Sequence, residues 1–192
     1  MSVSLQKGQT VSLTKASGPT LTKVRMGLGW DAVKKRGFFG GLKAQSIDLD
    51  ASCLLFDRSG ALVDQVWFQQ LRGAGGAVQH TGDNLTGAGD GDDESIIVNL
   101  PALPATVQTL VFVVNSFTGQ SFAQIENAYC RLVNEVNGAE LARYDLSGSG
   151  SHTAQVMCKV SRDANGWAMT AIGAKASGRT FRDLLPVVTA HL

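Results

Sequence analysis

The chain has 192 residues, 44% apolar and 17% charged, with a formal net charge of +1. That balance excludes an extended disordered chain and gives no electrostatic footing for nucleic-acid binding as a main activity. The length holds one well-buried core. No apolar run approaches the roughly 20 residues of a membrane span, and residues 1–7 lack the apolar segment and cleavage site of a signal peptide. Cys53, Cys130 and Cys158 each sit in an apolar run without metal-type spacing. The expectation is buried, reduced thiols in a cytosolic protein.

In chain order, 3–5 and 11–13 alternate across a Lys-Gly-Gln turn and predict a hairpin or edge pair. Residues 23–30 put Val24, Met26, Leu28 and Trp30 on one face of a strand and Gly27 and Gly29 on the other, open to close approach. Residues 34–45 carry Lys34, Lys35, Arg36, Phe38, Phe39 and Lys43 without a clear period and read as a basic surface loop. Residues 47–56 form the clearest strand, with Asp48 and Asp50 emerging on one side of it. A turn at 57–60, a strand at 62–71 and a glycine-rich turn at 73–76 follow. Residues 95–100 are a strand ended by Pro101, and 110–114 a central strand buried on both sides. A helical turn is expected at 121–125. Residues 128–133 and 140–146 pair across Asn137-Gly138, and 153–160 pairs with 166–176, with Ala154, Val156, Cys158 and Val160 facing inward. A helix at 180–185 closes the chain. These elements predict an all-β fold: one domain over 1–192, a β-sandwich of two mainly antiparallel sheets with one or two short helices.

Between these elements lies a glycine-laced acidic loop, 82–94, holding Asp83, Asp90, Asp92, Asp93 and Glu94, and no Lys or Arg occurs between Arg72 and Arg131. Two carboxylates about 4 Å apart repel by roughly 4 kcal/mol at an effective dielectric near 20. The loop is therefore either splayed in water or a seat for a cation. For a seat, calcium suits the donors best: carboxylates, the Asn84 amide oxygen and glycine carbonyls are all hard oxygen ligands. His80 alone stands near, so soft transition metals fit less well, and it reads instead as a strand-end histidine bonded to backbone. An EF-hand fails because Leu85 and Gly87 occupy ligand positions and Ala88 the required glycine. A phosphate loop fails on the sign of the charge and the missing Gly-Lys-Ser/Thr. Asp48, Asp50 and Asp31 add carboxylates from outside the loop.

The segments 23–31, 47–52 and 78–94, with Phe122-Ala-Gln-Ile-Glu-Asn-Ala128 and Glu140-Leu-Ala-Arg-Tyr-Asp-Leu146, resemble the hallmark blocks of TerD-family tellurium-resistance proteins across nearly the whole chain. Trp30-Asp-Ala-Val-Lys-Lys35 and Asp64-Gln-Val-Trp-Phe68 are most similar to the TerZ branch. The resemblance implies a bacterial stress-response protein with a β-sandwich that holds one or two Ca²⁺ ions at one end. It implies as ligand candidates Asp31, Asp48, Asp50, Asp83, Asn84, Asp90, Asp92, Asp93 and Glu94, with Gly87 and Gly89 as carbonyl donors. The expectation is a cytoplasmic protein whose partners are other proteins of a stress-resistance complex, and Phe38 and Phe39 beside four cations give 34–45 a second reading, a contact for the inner face of the membrane or for a partner.

Two functions follow from different classes. One is a non-enzymatic calcium-binding module, favoured by the lack of a nucleophile–base pair in sequence: Ser121, Ser151 and His152 stand isolated. The other is a metal-dependent enzyme acting on tellurite or another oxyanion, with carboxylate-bound metal or a reactive thiol.

Overall fold

Side chains along the strand predicted at 47–56 divide between two apolar clusters: Leu49, Ala51, Cys53 and Leu55 enter one, Leu54 and Phe56 the other. A strand that is apolar on both faces belongs to the middle layer of a stack. The structure, a computed structural model, describes residues 10–12, 21–31, 33–36, 42–45, 47–86, 91–164 and 166–192, with backbone alone at 11–12, 33–36 and 42–45.

Among these residues the strands are β1 (Thr10–Ser12), β2 (Lys23–Asp31), β3 (Val33–Arg36), β4 (Leu42–Gln45) and β5 (Leu49–Phe56). Then come β6 (Leu62–Val66), β7 (Arg72–Gly73), β8 (Val78–His80), β9 (Glu94–Asn99) and β10 (Thr109–Ser116). The last are β11 (Glu126–Asn134), β12 (Glu140–Asp145), β13 (Ala154–Asp163) and β14 (Gly166–Ala176), followed by helix α1 (Phe181–Thr189). One six-stranded sheet runs β1-β14-β13-β10-β5-β6 and a second runs β12-β11-β2-β9-β8-β7. The pairings within both are antiparallel.

Between the sheets, Met26, Leu28 and Trp30 pack against Ala51, Cys53 and Phe112. The far face of the first sheet is covered by α1, whose Phe181, Leu184 and Val188 meet Leu54, Val111, Val113 and Val156. Each such side chain stabilises the fold by about 1.5–3 kcal/mol when fully buried. Thr180 and Asp183 form a reciprocal capping box that starts the helix.

Several expectations change. Residues 34–45 are not a plain loop: β3 and β4 pair antiparallel from Val33↔Gln45 to Arg36↔Leu42. Strands of four residues are too short to show a period, which is why the segment reads as irregular. The strand expected over 62–71 stops at Val66, where a tight Trp67↔Gln70 bridge turns the chain. In β13, Ala154 and Val156 face α1, while Met157 and Cys158 both face the sandwich core. A β-bulge between Val156 and Cys158 breaks the period of two there. Helix α1 runs past the expected 180–185 to Thr189, with Pro186 inside it. Thr10–Ser12 pairs with β14, and the expected partner at 3–5 lies outside the described residues.

Candidate metal site

β6 pairs with β5 only over Cys53–Phe56, so the start of β5 has no strand on that side among the described residues. The acidic loop comes to this open edge. One carboxylate oxygen each from Asp48, Asp50 and Asp83 lies within 4.8 Å of the other two. Asp48 and Asp50 are buried and Asp83 stands at the mouth. Burial first, then the neighbouring Glu94, Asp48 and Asp83, push the Asp50 carboxyl up to about 8, against one opposing hydrogen bond from Asn115. Burial, then Asp83 and Glu94, raise Asp48 to about 6. Oδ1 of Asp48 is buried without a hydrogen-bond partner. Asn115 Nδ2 donates to Asp50 Oδ2 at 2.9 Å and to the Arg179 carbonyl at 2.6 Å, while its own Oδ1 is buried and unpartnered. Three clustered carboxylates, one with an unused buried oxygen and none with a cation paired to it among the described residues, suit a hard, oxygen-seeking ion.

A second group holds the loop in place. The side chain of Glu94 is fully buried and accepts the Ala51 N–H at 2.9 Å and the Asn84 N–H at 3.1 Å. His80 Nε2 faces the same carboxylate at 3.4 Å. The Gly82 N–H donates to His80 Nδ1, which assigns the ring proton to Nε2. Asp93 accepts the Trp30 N–H and the Asn84 side-chain amide. Burial raises the Asp93 carboxyl, the Trp30 hydrogen bond opposes this, and Asp31 adds to the rise. The Asn84 oxygen expected to face an ion accepts instead from the Thr86 N–H and hydroxyl, an Asx turn.

Asp92 goes elsewhere. Its carboxylate lies on the outer face of the second sheet, in ion pairs with Arg25 and with Arg131 at 2.8 Å, and it accepts from the Tyr129 hydroxyl at 3.2 Å. Arg25 continues to Glu135, and Arg143 stacks 3.9 Å above the Tyr129 ring centroid. The two glycines of β2 make room for this. A Cβ at Gly27 would enter the Asp92 carboxylate, and one at Gly29 would sit 2.6 Å from both the Gly91 carbonyl and the Tyr129 ring. The side chains of 92, 93 and 94 therefore diverge: one to the arginines, one to the end of β2, one into the interior.

Asp31, at the exposed end of β2, accepts from Asn127 Nδ2 at 2.6 Å. Gly87, Gly89 and Asp90 lie outside the described residues. Sequence reasoning missed Asn115, Arg25 and Arg131. Asn115 closes an apolar run, and an amide there was the only local sign. Of the residues set aside as isolated, His152 has a serine partner, Ser149 Oγ at 3.3 Å, but that hydroxyl already donates to the Leu146 carbonyl at 2.5 Å.

The TerD domain is matched over residues 1–185. The chain is 54% identical over 184 residues to the tellurium resistance protein TerZ of Serratia marcescens, covering 95% of this chain and 94% of that one. It is 42% identical to general stress protein 16U of Bacillus subtilis, covering 93% of each. The crystal structure of a homologue of telluride resistance protein (TerD) from Streptomyces coelicolor superposes with a TM-score of 0.73 at 17% identity, over 86% of this chain and 95% of that one, and shares the fold.

Proposed function

The chain belongs to the TerD domain family of tellurium-resistance and stress-response proteins, and on that premise we propose that it is a non-enzymatic calcium-binding protein of the bacterial stress response. The observation that carries this reading is the Asp48–Asp50–Asp83 cluster: the buried, unpartnered Oδ1 of Asp48 and the raised carboxyl pKa values of Asp48 and Asp50 mark a charge deficit that a divalent cation would fill. Asp48, Asp50 and Asp83 would hold the ion directly, with Asn84, Asp93 and Glu94 fixing the loop that carries Asp83 and Asp92 fastening it from outside. Asp31 and Asp93 interact across the end of β2 and are the pair available to a second ion. Gly87, Gly89 and Asp90, outside the described residues, are donors that the sequence alone offers to the same loop.

The ion would join two sheets and a loop, which is chemistry of stabilisation and not of turnover. The Ser149 hydroxyl is committed to a carbonyl and the three thiols are buried, which favours a binding role over a catalytic one. No helix among the described residues is long and apolar enough to cross a membrane. The reading extends to the cytoplasm and its membrane face, with other proteins of a stress-resistance complex as partners. A calorimetric titration with Ca²⁺, repeated in excess Mg²⁺, tests it: one or two bound ions are expected, lost in Asp50→Asn. No heat of binding and no thermal stabilisation at millimolar Ca²⁺ would end this reading.

A further inference from the structure

Sulfur is concentrated at one point of the sandwich core, far in function from the acidic loop. The chain has three cysteines and four methionines. Cys130, Cys158, Met26 and Met157 together line one cavity of about 10 Å³, with Tyr144 beside them. That is room for about one water-sized occupant.

The backbone is shaped to produce this. On β10, Phe112 pairs with Cys158 and the next residue, Val113, pairs with Val156; on β14 the register also shifts between Val156 and Cys158. Met157 is thus the extra residue of a bulge, and bulges re-aim side chains. In a regular strand Met157 and Cys158 would point to opposite faces, yet both enter the inter-sheet cluster. From the opposite sheet, Cys130 and Tyr144 stand in register with each other. The Tyr144 hydroxyl is buried with no hydrogen-bond partner, an arrangement that native interiors rarely leave without a reason.

We propose that Met26, Cys130, Met157 and Cys158 form a binding site for one Cu(I) ion, with the Tyr144 hydroxyl as donor to the bound thiolate. Thiol and thioether ligands select soft ions, Cu(I) first among those of the cell. The cavity takes a bare ion and has no space for a hydrated divalent cation. Charge selects as well. On binding, one cysteine S–H breaks, its proton leaves to solvent, and a sulfur–copper bond forms without any change of oxidation state. A monovalent ion against one new thiolate leaves the buried site neutral, while the second thiol and both thioethers donate lone pairs as neutral groups. Both thiols are buried, so binding has to displace a thiol proton without help from solvent, and an ion with weak sulfur affinity does not. The thiolate then supplies the acceptor that the Tyr144 hydroxyl lacks. This site is independent of the calcium reading.

The test is anaerobic titration of the reduced, full-length protein with Cu(I) buffered by bicinchoninate. The expected result is one Cu(I) per chain and an ultraviolet thiolate-to-copper band. Both should be lost in Cys130→Ser and Cys158→Ser and kept in Cys53→Ser, with Tyr144→Phe weakening the affinity by about tenfold, as for other partners of metal ligands. X-ray absorption at the copper edge of the unaltered protein covers the case in which a serine variant does not fold, and sulfur-only coordination is expected. No stoichiometric uptake, uptake that survives loss of both cysteines, or nitrogen and oxygen around the copper would each overturn the proposal.

Discussion

The carboxylate of Glu94, on one sheet, accepts the backbone N–H of Ala51, on the other, at 2.9 Å. It does so where β6 has turned away from β5 and left that edge open. The same carboxylate takes the Asn84 N–H, so one buried side chain fixes both the gap between the sheets and the entry of the acidic loop. Glu94 serves the site as its frame.

Replacing Glu94 by Gln therefore sets an amide group against backbone donors that need an acceptor. An unsatisfied buried donor costs about 1–3 kcal/mol, and two depend on this side chain. Thermal denaturation should show Glu94→Gln strongly destabilised, and the stabilisation by Ca²⁺ should shrink because Asp83 is no longer held. An unchanged melting temperature would remove Glu94 from this role.

Asp50→Asn is expected to act in opposite directions with and without calcium. Asp50 is 3% exposed and lies against Asp48 and Glu94. Asparagine removes the cost of either protonating or burying that carboxylate, on the order of 2 kcal/mol, so at neutral pH the calcium-free variant should melt higher than the unaltered protein. Added Ca²⁺ should then give little further increase. A variant that is less stable in chelator would show that Asp50 is already compensated by other means.

The pH dependence has a definite sign. Asp48 and Asp50 are raised from 3.8 to about 6 and about 8 in the folded, calcium-free chain. Folded protein therefore keeps protons that unfolded chain has released. The stability these groups contribute is full below the unfolded value near 4 and is lost as pH rises through about 6 and then about 8. Urea denaturation in chelator should show this fall relative to the doubly amidated Asp48→Asn, Asp50→Asn variant. With saturating Ca²⁺ the fall should disappear, since the ion favours the ionised carboxylates.

Asp92→Asn separates fastening from ion binding. It leaves Arg25 and Arg131 without their shared anion, and since both arginines are partly exposed the cost should be about 2 kcal/mol, below that of a fully buried pair. The melting temperature should drop while Ca²⁺ still raises it. If Asp92→Asn instead abolishes the calcium response, Asp92 is a ligand.

Alternation at 47–56 made Asp48 and Asp50 legible as neighbours, and the glycine face of β2 announced a close approach before its occupant was known. The dispersal of the loop's own carboxylates was not legible. It depends on Arg25 and Arg131, which meet Asp92 only through the β2–β11 register, and a scan of the loop finds no cation nearby. Asn115 was hidden for the same reason: its partners Asp50 and Arg179 are some 65 residues away on either side. The bulge at Met157 leaves no mark in composition, so a strict period of two assigned Ala154 and Val156 to the wrong face.

The loop between β8 and β9 joins strands that are neighbours in one sheet, so its two ends are brought together by that sheet alone. Asp48 and Asp50 come from the other sheet. A cation seated among them exists only once the two layers have met, late in folding, and is released only as they part. Calcium should therefore leave the refolding rate nearly unchanged and lengthen the lifetime of the native state.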